Sequence, residues 1–161
     1  MKFTSTYKAL KLDEIKNNAE ERKSAGDRYV QILAVNYDDH IDLVYTFMTK
    51  DGELIDFNVE NVSKDATISS ISDLYFEAFV CENEIHDLFG LKFDGLTLDF
   101  SGKFFATAQD KPMTIISPVE LARREKEAKI AAAKAAKAAK AAKEASSSQE
   151  AQNESGEGEQ K

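Results

Sequence analysis

Residues 40–60 read HIDLVYTFMTKDGELIDFNVE. Ile41, Leu43, Tyr45 and Phe47 alternate with Asp42 and Thr46, and Ile55, Phe57 and Val59 alternate with Asp56 and Asn58. A period of two places each apolar set on one face of a strand. Asp51-Gly52, between the two runs, tolerates the positive φ that a tight hairpin turn needs. The stretch predicts two antiparallel strands with one apolar face and one wetter face. Upstream, RYVQILAVNYDD (residues 28–39) is rich in Val, Ile, Leu and Tyr and predicts a third strand, with His40 in the turn between them. Together they make a three-stranded antiparallel meander.

On either side of the meander the period changes. LDEIKNNAEERKSAG (residues 12–26) predicts a short surface helix. Asp13 caps its start, Ile15 and Ala19 form a thin apolar face, and Gly26 supplies a left-handed end. Beyond the polar link NVSKDAT, the residues Ile71, Leu74, Tyr75, Ala78, Ile85, Leu88 and Phe89 recur at helical spacing. They predict a second helix over 70–89, capped by Ser70 or Ser72, ended by Gly90 and covering the apolar face of the meander. The alternating GLTLDFS (residues 95–101), a turn at Ser101-Gly102, and Met113–Ile116 suggest short extra strands. The fold class is α+β.

The C-terminal third has a different composition. Ser117-Pro118-Val119-Glu120 is a helix start, with a capping serine, a proline whose missing N–H costs nothing there, and a glutamate to close a capping box. An Ala/Lys-rich run without a helix breaker follows, and alanine is the best helix former. Its far part has no large apolar side chain to dock, which predicts a solvent-exposed helix. The polar end, SSSQEAQNESGEGEQK, predicts disorder. The expected organisation is an α+β domain over 1–117, an exposed helix over 118–145 and a disordered tail over 146–161.

The net charge of −8 is unevenly distributed: residues 1–118 hold 12 Lys and Arg against 21 Asp and Glu, whereas residues 119–161 hold 9 against 8. An acidic body argues against nucleic-acid binding, which relies on Lys and Arg. The lysines of AAKAAKAAK step by three and drift around the helix, so the tract reads as a solvated spacer ahead of a nucleic-acid tail. The start has no apolar h-region, and no window approaches the roughly 18 apolar residues of a spanning helix. Membrane contact is therefore expected only through other chains.

The densest chemistry lies in CENEIHDLFG, residues 81–90. His40, His86 and Cys81 are too few and too scattered for a structural zinc site, and no metal is expected. Cys81 on the apolar side of a helix behaves as a small hydrophobe, with nothing basic beside it to activate the thiol. With about 100° per residue and Ile71 at zero, Glu82 falls near 20°, inside the apolar stripe, while Glu84 and Asp87 fall on the opposite side. A buried carboxylate must find partners or take up a proton. It can pair with His86 four residues on, as a proton relay, or accept hydrogen bonds from the neighbouring strands or a partner chain. The second reading is favoured, because catalysis needs further polar groups converging on a pocket and the sequence has no second cluster. No catalytic residue is expected.

A helix, a three-stranded meander and a helix ending in E-x-E-x-x-D-L-F-G, followed by x-F-x-G, resemble the 30-kDa subunit family of respiratory complex I. The same pattern is found in its relatives, the energy-converting membrane-bound NiFe hydrogenases. Glu82, Asn83, Glu84, Ile85, His86, Asp87, Leu88, Phe89, Gly90, Leu91, Lys92, Phe93, Asp94 and Gly95 carry the likeness. It covers residues 12–100. Asn83 replaces the family's usual arginine, and His86 stands where an aromatic is often found. GLTLDFSGKFF (residues 95–105) takes the place of the basic H-P-D-L-R-R of quinone-reducing complexes, a stretch that helps grip the large subunit. Without it, the chain looks more like the small D subunit of Ech-type hydrogenases.

The resemblance implies a cofactor-free brace in the hydrophilic arm, held on the cytoplasmic side of the cell membrane. The NiFe centre and iron–sulfur clusters would lie in partner subunits. Glu82, Glu84, His86, Asp87, Phe89 and Gly90 would form or shape the contact with the NiFe large subunit, with Glu82 satisfied within the fold or across the contact. The alternatives are the equivalent subunit of a complex I-like NADH/quinone oxidoreductase, or a free module whose basic tail docks on nucleic acid. A third, a small enzyme using Glu82 and His86, has no nameable substrate.

Overall fold

The computed structural model describes residues 5–115, together with 122, 123, 126, 129 and 130. It divides into two units, Met1–Ile115 and Ile116–Lys161. Of the expected C-terminal helix, the described residues 122, 123, 126, 129 and 130 are helical. The rest of that helix, its Ser117-Pro118 start and the tail lie outside the described residues.

The first unit contains β1 (Ser5–Ala9), α1 (Ile15–Ala25), β2 (Arg28–Asn36), β3 (His40–Met48), β4 (Leu54–Ser63), β5 (Thr67–Ser69), α2 (Ala78–Phe89) and β6 (Lys92–Asp94). Strands β2, β3 and β4 form the expected meander. Tyr45 stands opposite both Ile32 and Phe57, and Leu43 opposite Ala34 and Val59. This register carries Ile41, Leu43, Tyr45 and Phe47 into the core, where each is 1% exposed or less. Phe47 meets Tyr29 and Phe57 edge-on at centroid distances of 6.2 and 6.0 Å, the orientation that the ring quadrupoles favour. In β4 the alternation slips by one residue between Val59 and Val62, which are both buried. Asn61 absorbs the slip at φ 58°, and its N–H donates to Asp42 Oδ1 at 2.8 Å.

The meander has a fourth strand that sequence reasoning missed. β1 pairs parallel to β4, with Ser5 opposite Leu54 and Ala9 opposite Asn58, giving a mixed sheet of order β1-β4-β3-β2. All five of its residues are exposed, so it has no buried face and no hydrophobic alternation to detect. Asp56 joins the strands on the wetter face, accepting hydrogen bonds from Thr46 on β3 and Ser5 on β1.

α1 buries only Ile15 and Ala19 and ends at Gly26, whose φ is 76°. Asp13 does not cap it. A single 3-10 turn, Leu12–Glu14, precedes the helix, and the Glu14 carboxylate accepts the Lys11 N–H at 3.1 Å. α2 begins at Ala78, eight residues later than the spacing suggested, and Ser70 and Ser72 are not its caps. The Ile71 N–H and the Ser70 hydroxyl bond to Glu82, which folds residues 70–77 back along the helix as successive turns. Gly90 ends α2 at φ 80°. β5 and β6 pair parallel on either side of this segment. Met113–Ile116 does not supply a strand: Pro112–Thr114 is a 3-10 turn entered through Lys111 at φ 47°, and Ile116 lies outside the described residues. Pro112 lacks the N–H that a ladder needs.

Leu43 is fully buried at the centre of the sheet. Leu43→Ala should lower unfolding stability by about 2–5 kcal/mol, read as a shift of the urea midpoint at unchanged slope.

Candidate functional site

On the sheet side of α2, Glu82 has no exposed surface. Its Oε1 accepts the Ile71 N–H at 2.8 Å and its Oε2 accepts the Ser70 hydroxyl at 2.6 Å. Ser70 Oγ lies 2.7 Å from Ser72 Oγ, and Ser72 Oγ accepts the Thr97 N–H at 2.9 Å and lies 3.1 Å from Thr97 Oγ1. Burial raises the Glu82 carboxyl above its ordinary value; Ser70, Ile71 and the Lys16 ammonium pull it partway back, and Asp73 pushes it up. Glu82 and His86 do not form the relay that their spacing allows. Both Glu82 oxygens are engaged by the 70–71 turn, and His86 lines a pocket of about 230 Å³ with Lys92, Phe93, Leu96 and Asp99.

The other side of α2 is not a solvated face. Asn83 is fully buried and Asp87 nearly so. Asn83 Nδ2 donates to the carbonyls of Phe79 at 2.7 Å and Leu98 at 2.9 Å, and its Oδ1 accepts the Phe100 N–H at 3.0 Å. Asp87 Oδ2 accepts the Phe105 N–H at 2.7 Å. Asp87 lies on the side opposite the apolar stripe, as its position on the helix predicts, but residues 97–105 lie over it. This segment has no helix or strand of its own. Ser72, Asn83 and Asp87 pin its backbone from below.

Beside the exposed Asp99, Ser101 and Lys103, the pinned loop shows several large apolar side chains to solvent. Leu98, Phe100 and Phe105 are 41%, 38% and 42% exposed. Phe104 stacks edge-on between Phe100 and Phe105, at 5.1 and 4.9 Å. Phe76, more than half exposed, sits 5.0 Å from the ring of Phe79. The Asn83 amide is shared by the carbonyls of Phe79 and Leu98. Exposed apolar patches mark interaction sites, and aromatic anchors dominate their energetics. Sequence reasoning treated Asn83 and residues 95–105 only as departures from a family pattern and gave neither Asn83 nor the phenylalanines a part in the site. The available signal was the aromatic density of residues 98–105, which carries no helical or strand period.

Of the motif residues, Glu82 and Asp87 are internal supports, while Glu84, His86, Phe89 and Gly90 are partly exposed. Glu84 and Phe89 line a groove of about 140 Å³ beside Leu33 on the edge strand β2. At Gly90 a β-carbon would stand 2.4 Å from the Lys111 side chain, which crosses the helix end there. Among the described residues no cluster of His, Cys, Asp and Glu side chains could hold a metal ion, and no helix is long and apolar enough to cross a membrane. The thiol of Cys81 is free.

Residues 6–99 match the family described as respiratory-chain NADH dehydrogenase, 30 Kd subunit. The chain belongs to this family. Solved structures share its fold, two of them as follows. A chain of the membrane-bound sulfane sulfur reductase, an archaeal respiratory membrane complex, aligns with a TM-score of 0.60 at 21% identity, over 68% of each chain. The trypsin-resistant fragment (1-134) of Nqo5 aligns with a TM-score of 0.52 at 20% identity, over 57% of this chain and 80% of the fragment. No curated protein matches the sequence.

Two outcomes follow from the buried polar groups. Asn83→Leu keeps the volume but strips the Leu98 carbonyl and the Phe100 N–H of their partner. It should cost about 1–3 kcal/mol in urea unfolding and speed hydrogen exchange at the Phe100 amide. Glu82 is held above its unfolded pKa, so the native state keeps this proton to higher pH than the unfolded chain. The associated stability is present below the unfolded pKa of about 4.3 and is lost as pH rises through the folded value. The stability of wild type relative to Glu82→Gln should therefore fall between pH 4 and the folded pKa; a rise across that range would contradict the assignment.

Proposed function

We propose that this 30-kDa-type subunit of a complex I-like respiratory assembly is a non-catalytic brace in the hydrophilic arm of a membrane-bound, energy-converting NiFe hydrogenase of Ech type. It would hold the NiFe large subunit during ferredoxin-linked hydrogen evolution or uptake. The NiFe centre and the iron–sulfur clusters belong, on this reading, to the partner subunits. The chain would reach the cytoplasmic side of the cell membrane only through them.

The observation that carries the proposal is the pinned aromatic loop. Where quinone-reducing relatives have a basic stretch, this chain presents Leu98, Phe100 and Phe105 on a backbone fixed by three side chains. Such a surface suits an apolar patch on a neighbouring subunit, and the fixed backbone reduces the ordering entropy that docking costs. Glu84, His86 and Phe89 extend the contact beyond the loop. The same loop speaks against the quinone-linked alternative, whose grip would use charge.

The test is a mild-detergent pull-down of the tagged chain from its native membranes, with mass spectrometry and metal analysis. Recovery of a nickel- and iron-containing assembly is expected. The double variant Phe100→Ser/Phe105→Ser, with an unchanged circular dichroism spectrum, should weaken recovery about tenfold or more, some 1.4 kcal/mol of binding. Recovery of an assembly without nickel would overturn the hydrogenase assignment, and an undiminished yield from the variant would overturn the role of the loop.

A further inference from the structure

Ser70, Ser72 and Thr97 form an unbroken row of hydroxyls from the enclosed Glu82 carboxylate to the exposed Thr97, with successive oxygen separations of 2.6, 2.7 and 3.1 Å. Each hydroxyl has a single hydrogen and accepts through its lone pairs. At the outer link Ser72 Oγ donates to Thr97 Oγ1, the direction that a neutral Glu82 allows. An ionised Glu82 can only accept, and a row turned fully inward has Ser70 donating to Glu82, Ser72 to Ser70 and Thr97 to Ser72.

We propose that Glu82 is a proton-binding site, filled from solvent through this row, and that its occupancy is displayed on the docking loop by the hydroxyl of Thr97. In the filling step Ser70 passes its hydrogen to Glu82, Ser72 passes its own to Ser70, and Thr97 passes its own to Ser72. Thr97 then takes one proton from water. The carboxyl is left neutral, and every hydroxyl keeps one hydrogen, now directed outward. With Glu82 ionised, Thr97 donates inward and offers only lone pairs to a partner; with Glu82 neutral, it donates outward. The Thr97 N–H stays on Ser72 in both states, so the loop keeps its place while its surface chemistry changes.

The surroundings suit a proton site. Lys16 on α1 and Asp73 in the connecting turn face the carboxyl with opposite charges, and Tyr29 on β2 and Tyr45 on β3 lie near it from the sheet. Burial and the nearby carboxylate push both tyrosine hydroxyls upward, so they remain neutral, and Cys81 adjoins Tyr29. Lys16 is tied to Asp73 and to the Ser70 carbonyl. Among the described residues Glu82 makes no ion-pair contact of its own, and burial holds the carboxyl above its ordinary value.

The significance for docking rests on the function proposed above, whereas the site is tested on the isolated full-length chain. A titration followed by infrared spectroscopy should show the carbonyl band of a neutral carboxyl growing as pH falls and absent in Glu82→Gln. The Thr97 amide resonance should follow the same midpoint, while that of Phe105, held by Asp87, does not. Ser72→Ala should abolish the Thr97 response and raise the carboxyl midpoint by about one pH unit, a tenfold gain in proton affinity. If Glu82→Gln does not fold, the Ser72→Ala comparison decides alone. A Thr97 resonance that ignores the carboxyl, or follows it equally in Ser72→Ala, would overturn the proposal, as would a native chain that shows no such band before acid unfolds it. Failure here leaves the pull-down result standing, and failure of the pull-down leaves the titration standing.

Discussion

A carboxylate removed from water must have its lost hydration replaced by the protein, or it gives up its charge. Glu82 is such a group, and the layout of the domain follows from how it is satisfied. Its hydrogen bonds to Ile71 and Ser70 bend residues 70–77 into turns, and so determine that α2 starts at Ala78. With the helix seated in this way, Ile85 and Ala78 join the core of the sheet. Asn83 and Asp87 face the other way, where their polar atoms hold the 97–105 segment. One desolvated carboxyl thus links the sheet, the helix and the loop above it.

The loop inverts the usual relation between polar and apolar groups. Its backbone is held by enclosed polar side chains, and its apolar side chains face out. Two departures from the family pattern belong together in this arrangement. Asn83, in place of an arginine, is short enough to stay under the loop and has both an acceptor for Phe100 and donors for Leu98 and Phe79. A guanidinium has no acceptor, so it could not take the Phe100 N–H. The change of helix residue therefore fits the change of loop sequence.

Much of this was legible in the residues. The meander showed in the period-two runs and in Asp51-Gly52, and the end of α2 in Gly90, because burial on one face and a left-handed stop both leave local signatures. Glu82 was identifiable as a carboxylate in an apolar stripe. The start of α2 was hidden because Ile71, Leu74 and Tyr75 keep helical spacing while lying in turns, held by a bond to a residue eleven positions away. Asp87 lies on the side that the helical wheel gives, but a wheel does not say what covers that side. β1 was hidden because a strand exposed on both faces has no pattern.

β1 has a further consequence, for the order in which the molecule assembles. Ser5–Ala9 is made early during synthesis, yet its partner on β4 lies about fifty residues downstream: Ser5 faces Leu54. The β3–β4 hairpin closes through a short local turn, whereas β1 must close a long loop and bring α1 and β2 with it. It joins a sheet that already exists, gaining backbone hydrogen bonds but little buried apolar surface. Until it docks, the edge of β4 is open, and a newly made chain at that stage can pair with the β4 edge of another.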